Sequence, residues 1–244
     1  MSPGPENDDR GFLVRFAGLP AIEWNALSVA IGIVVAFFAM LAGVLVVGAF
    51  DPSLDSEGAK VGAQAVLVLA LAGTAIGYAM ATSDGGIGAA LDQFGLRRIG
   101  LSVVGLALLG WLAYAVIALV LGPLLSPDQN DVFDELQTDR DSAVSVGAAF
   151  ALVIIGAAVA EELFFRGFVF AGLRQSMPLW AAALVSSTLW ALLHLSSGDL
   201  GVVAILFAFG VVLCWLYERS GTLWAPLLAH GLNNTIAALY LFLS

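Results

Sequence analysis

The chain is poor in what a soluble enzyme puts on its surface. Only 11% of its 244 residues are charged, against 60% hydrophobic. Its single cysteine, Cys214, lies inside an apolar run, which excludes an intramolecular disulfide and a thiolate metal cluster. Lysine and arginine together number nine and are scattered, so no basic patch for nucleic acid exists. The net charge of -10 does not describe an acidic surface, because the acids gather in two short loops. The polar start, MSPGPENDDRGF, precedes no short apolar segment with a cleavage site, so no cleaved signal peptide is expected.

What remains is apolar runs of roughly 20 residues, the length that crosses a bilayer, repeated along the chain. The expected fold is all-α: a polytopic membrane helix bundle with about seven transmembrane helices, seven or eight. Residues 1–25 read as a polar leader with an amphipathic approach, Phe12 to Ile22, lying at the membrane interface. Residues 26–244 read as one transmembrane domain without repeats or linkers. The spans fall at about 26–50, 61–82, 101–125, 143–172, 178–195, 200–217 and 222–243. In the second, Gly73 and Gly77 are small residues four apart, a spacing that lets a neighbouring helix approach. Residues 83–100 form a glycine-rich turn and a short basic-ended piece suited to the membrane surface. Residues 126–142 form an acidic loop.

With that arrangement Arg10, Arg15, Arg97, Arg98, Arg166, Arg174 and Arg219 share one side, while Lys60 and Arg140 lie on the other. The positive-inside rule then gives a multi-pass protein of the cell membrane with a cytoplasmic N-terminus.

The fourth span carries an anomaly, Ala160-Glu-Glu-Leu-Phe-Phe-Arg-Gly167. A charge near the centre of a membrane helix costs about 2.5–3.5 kcal/mol on insertion scales, so two acids and an arginine need a reason. Glu162 and Arg166 are four apart with the acid first, the favourable order for a helical ion pair. Glu161 points roughly 100° away and is left aimed into the bundle. The two histidines also lie in spans. Trp190 and His194 share a face, and so do His230 and Asn234. Glu161 lies 15 residues before Ser176 and His194 18 after it, which at about 1.5 Å per residue puts both about 22–27 Å along one hairpin. His230, eight residues into its span, lies at about 12 Å, so a tilt or a break near Pro226 has to close the gap.

Glu161-Glu162-x-x-x-Arg166, Trp190-x-x-x-His194 and His230-x-x-x-Asn234, in that order, resemble the three motifs of one family. It is the CAAX-prenyl-protease and bacteriocin-immunity (CPBP or Abi) family of intramembrane proteases, typified by the Ras-converting enzyme. The family has Phe where this chain has Trp190, a change that keeps an aromatic wall. The likeness spans roughly residues 143–240; the first three helices carry no signature. It implies peptide hydrolysis in a membrane-associated protein or peptide. In that scheme Glu161 with His194 deprotonates a water, and His230 with Asn234 donates to the oxyanion. Glu162 with Arg166 then holds Glu161. The resemblance also admits a metalloprotease, with Glu161, His194 and His230 as ligands if zinc is bound. The metal-free version is preferred, because there is no His-Glu-x-x-His and Asn234 is a poor zinc ligand. The expected partners are membrane lipids and the substrate, with no nucleic acid. A non-catalytic scaffold or immunity factor, and a small transporter, are the competing classes.

Overall fold

The computed structural model describes residues 18–54, 56–96, 99–125, 150–195 and 199–243. The leader to residue 17, the acidic loop at 126–142 and the first residues of the fourth span lie outside them. Within the described residues the chain is helical throughout, as a membrane-spanning chain must be to satisfy its own backbone.

α1 (Ala26–Phe50) begins at Asn25, whose side chain accepts from the Leu27 and Ser28 amides, and ends where Pro52 forbids another turn. α2 (Glu57–Thr82) is capped by the Ser56 hydroxyl. α3 (Gly86–Gln93) is short, and α4 (Leu101–Leu125) has Pro123 in its last turn. α5 occupies residues 150–174, α6 is Leu179–Leu192, α7 is Leu200–Ser220 and α8 is Trp224–Leu243. Asp199 opens α7 by accepting from the Gly201 and Val202 amides, and Gly221 closes it in the left-handed region, φ 65°.

α1, α2, α4 and α7 are long and apolar enough to cross a membrane. Their outward faces are as apolar as their inward ones: Leu27, Phe38, Leu101 and Leu119 are exposed. Lipid solvates such a surface, so these helices need no polar stripe. α6 has 14 residues, about 21 Å, and is too short alone for a hydrocarbon core of about 30 Å.

α5 is the centre of the bundle. Every residue from 160 to 173 is buried. α2 and α6 pack on its widest part, α8 on its first half and α1 along its end, while α7 bridges α4 and α6. Two stretches of α5, Phe150–Ala157 and Glu162–Phe170, are wound as π-helix. The wider turn displaces carbonyls from ideal i→i−4 pairing, and other elements take them up. The Ser186 hydroxyl of α6 donates to Phe165 O at 2.7 Å, and the Trp24 indole donates to Phe168 O at 2.9 Å.

Two features differ from the sequence reading. From Gly18 to Trp24 the approach to α1 is folded onto the bundle, while Phe12 to Ala17 of the expected interfacial segment lie outside the described residues. Trp24 is buried among Tyr78, Phe94 and Phe168, and Gln93 accepts from the Glu23 amide at 3.2 Å. Gly73 and Gly77 face open space; the close-packing stripe of α2 is Leu71, Ala75 and Ala79, two positions round the helix. Gly95 is where glycine is required. Its φ is +68°, and a Cβ there would sit 2.3 Å from Gly221 O. That close approach lets Leu223 N donate to Phe94 O at 3.2 Å, tying the α3 loop to the α7–α8 turn.

Candidate active site

Glu162 and Arg166 pair as their spacing requires: Nη1 donates to Oε1 at 2.8 Å, and neither side chain is exposed. The pair is not self-contained. His230, from α8, also donates its Nδ1–H to Glu162 Oε1 at 2.8 Å. The donor is assigned by chemistry, since a carboxylate held by a guanidinium is an acceptor. With Nδ1 so used, the other nitrogen of His230 faces the neighbouring acid, Nε2 lying 3.9 Å from Glu161 Oε2. His230 is therefore the imidazole that stands between the two glutamates, and the register gap foreseen along α8 does not arise.

Glu161 points to a different quarter from Glu162 and meets α6. Its Oε2 accepts the Trp190 indole N–H at 2.5 Å. No described residue donates a hydrogen bond to its Oε1. Trp190 is buried at the middle of the cluster: the Arg166 guanidinium carbon lies 4.4 Å from its ring centre. The His194 and His230 rings stand at steep angles to it, with centroids 5.3 and 5.4 Å away. His194 follows the end of α6, half-buried, and donates its Nδ1–H to Trp190 O at 3.2 Å. In both histidines the protein holds the ring through Nδ1. Asn234 is half-buried one turn beyond His230.

The structure thus brings Glu161, Glu162, Arg166, Trp190 and His230 into contact, with His194 and Asn234 at the margin. The pairing of Glu161 with His194 expected from helix depth is replaced by Glu161 with His230. Trp190 is the residue the sequence reading undervalued; the signal was present, since among Phe and Trp only Trp has a hydrogen-bond donor.

Charge accounting adds a constraint. Two carboxylates and one guanidinium leave one negative charge inside an apolar bundle, which is costly. Three buried atoms, Glu162 Oε2 and Arg166 Nε and Nη2, have no protein partner among the described residues, so this is not an optimised structural ion pair.

A catalytic zinc needs about three protein ligands around one point at 2.0–2.2 Å. Among the described residues no three of His, Cys, Asp and Glu are grouped closely enough to hold a metal ion. Glu161 Oε2 is already engaged by the indole, and His194 is turned to its own helix end. The donor set does not fit a metal in this arrangement.

Between α5 and α8 a cavity of about 240 Å³ is lined by Ala158, Val159, Leu227, Leu228, Gly231 and Thr235. Gly231 and Thr235 adjoin His230 and Asn234 in sequence, and Ala158 is one turn before Glu161.

The family model described as type II CAAX prenyl endopeptidase, Rce1-like, matches residues 143–236, a range that contains all three motifs. A protein of Bacillus subtilis (strain 168) named "Putative membrane peptidase YdiL" is 27% identical over 142 residues, 56% of this chain and 57% of that relative. The chain thus spans little more than half the length of this relative. No solved structure matches the chain. The Glu-Glu-x-x-x-Arg, His194 and His230-x-x-x-Asn234 positions all lie inside the matched range, so residues 143–236 are similar to the Rce1-like CAAX protease family in the part of the chain that carries the site.

Proposed function

We propose that this protein is an intramembrane endopeptidase that hydrolyses a peptide bond in a membrane-associated protein or peptide. The observation that carries the reading is the pair of buried glutamates joined through one imidazole. Glu162 serves Arg166 and His230, while Glu161 keeps Oε1 without a donor among the described residues.

In the proposed reaction Glu161 Oε1 takes a proton from a water as that water attacks the scissile carbonyl. His230 turns its Nε2 side to the developing oxyanion as a donor, with the Asn234 amide as second donor. Glu162, by accepting from Nδ1, keeps that imidazole aimed. His194 shares the water's proton and returns it to the leaving amine. The substrate enters along the apolar cavity between α5 and α8. The membrane orientation proposed is the one with a cytoplasmic N-terminus, and the chemistry uses no metal.

The test compares membrane proteomes of cells carrying the wild type and Glu161→Gln at matched expression. A membrane protein that accumulates uncleaved only with the variant, and is cut by purified wild type in lipid, supports the reading. Identical termini for every membrane protein in the two strains would overturn it in favour of a scaffold.

A further inference from the structure

Trp190 stands where a wall would need only an aromatic ring, yet the ring is used in two ways at once. Its N–H is hydrogen-bonded to Glu161 Oε2, and its face lies under the Arg166 guanidinium. Both partners are buried, so neither contact is diluted by water. The indole itself is fixed by its neighbours: Phe209 lies at 6.2 Å between centroids and His230 at 5.4 Å, and Ala191 and Ala183 of the same helix are buried. The donor therefore cannot swing away from Glu161 without repacking the bundle centre.

A carboxylate on a helix has rotatable χ angles and two equivalent oxygens. Left alone beside His230, Glu161 would turn either oxygen to the imidazole, forming a closed ion pair and losing its capacity to hold water. An N–H fixed on Oε2 removes that freedom. It holds Oε2 at 3.9 Å from Nε2 of His230, beyond direct hydrogen bonding. We infer that Trp190 is a positioning residue for this reaction: its indole N–H anchors Glu161 through Oε2 and reserves Oε1 for water. It acts through Glu161, and its two contacts make it the mechanical link between Glu161 and the Glu162–Arg166 pair. The inference rests on the hydrolytic reading above.

The experiment has two arms on the full chain in lipid nanodiscs. The first needs no activity. In protein labelled with ¹⁵N at the tryptophan indoles, the signal missing from Trp190→Phe is that of Trp190. It should lie downfield in the wild type and move upfield in Glu161→Gln, because a neutral amide oxygen is the weaker acceptor. An unmoved signal overturns the inference, whatever the protein cuts.

The second arm uses the membrane protein identified as accumulating in Glu161→Gln cells. Trp190→Phe, and the isostere with β-(3-benzothienyl)alanine at 190, both lose the donor and keep the wall. Each should lower kcat roughly ten- to hundredfold with KM little changed, the consequence of losing a hydrogen bond to a charged group. The isostere should melt with the wild type. Full activity in the isostere overturns the inference and leaves a packing role. If no membrane protein accumulates, the hydrolytic reading fails and the positioning role fails with it, while the indole signal still decides whether the contact exists.

Discussion

Removing Arg166 should cost stability, and removing Glu161 should cost activity. Arg166→Met keeps the volume of the side chain and deletes the charge. Glu162 is then left fully buried with only the His230 hydrogen bond against it. Breaking one partner out of a buried pair costs about 3–5 kcal/mol, chiefly because the remaining ion cannot be hydrated. The present pair belongs at the lower end, since Arg166 Nε and Nη2 and Glu162 Oε2 already lack hydrogen-bond partners among the described residues. Loss of the guanidinium from the face of Trp190 adds to the same figure. At about 2–4 °C per kcal/mol for a chain of this size, a 3 kcal/mol loss lowers Tm by about 6–12 °C. Glu161→Ala gives up a hydrogen bond from Trp190 at a position that retains 6% exposure, and its Tm should fall by far less. Adding Glu162→Gln to Arg166→Met removes the orphaned charge while keeping an acceptor for His230. The double variant should therefore melt above the single one, a non-additivity expected of contacting residues. Thermal unfolding of the purified variants in one detergent measures all of this. Equal losses in Arg166→Met and Glu161→Ala would refute the division of labour and make the cluster a structural staple.

Three further outcomes are expected. Prolonged chelation should leave cleavage intact and added zinc should not raise it; a chelator-sensitive enzyme with metal at Glu161, His194 and His230 would require the three to converge as they do not here. Asn234→Ala and His230→Ala should each lower kcat, by about 10²–10³ for a lost oxyanion donor, and the double variant should fall short of the product because both serve one oxygen; single-turnover kinetics on lipid-embedded enzyme reads this. A reporter fused after Gln175 should be cytoplasmic and one inserted near Asp134 external, following the distribution of basic residues, and the opposite labelling would reverse the side of substrate entry.

Much of this protein was legible in the chain because its solvent is simple. Apolar runs of membrane length, with Asn25, Pro52, Asp199 and Gly221 at their ends, specify helices and their boundaries from local chemistry alone. The Glu162–Arg166 bridge was legible too, since a spacing of four survives the change from α to π winding. The misreadings have one cause. A spacing reports which residues share a helix face but not what that face meets. Gly73 and Gly77 had the right spacing for a close helix contact and face open space, while Ala75 and Ala79 on the same helix are buried.

The site itself was decided by the tertiary structure. Sequence listed Glu161, Glu162, Arg166, His194, His230 and Asn234, because charge and imidazole at membrane depth are conspicuous. It could not say which imidazole meets which acid, because that depends on the tilt of α8 against α5 and on the wide turns of α5. A rise of 1.5 Å per residue fixes depth along a straight rod. It does not capture the lateral shift that puts His230 Nδ1 on Glu162 and leaves Nε2 3.9 Å from Glu161. Nor does it turn the indole of Trp190 toward Glu161 and away from lipid. Those choices follow from packing α2, α6 and α8 around a helix buried on every side, where each polar atom finds a partner inside the bundle or goes without.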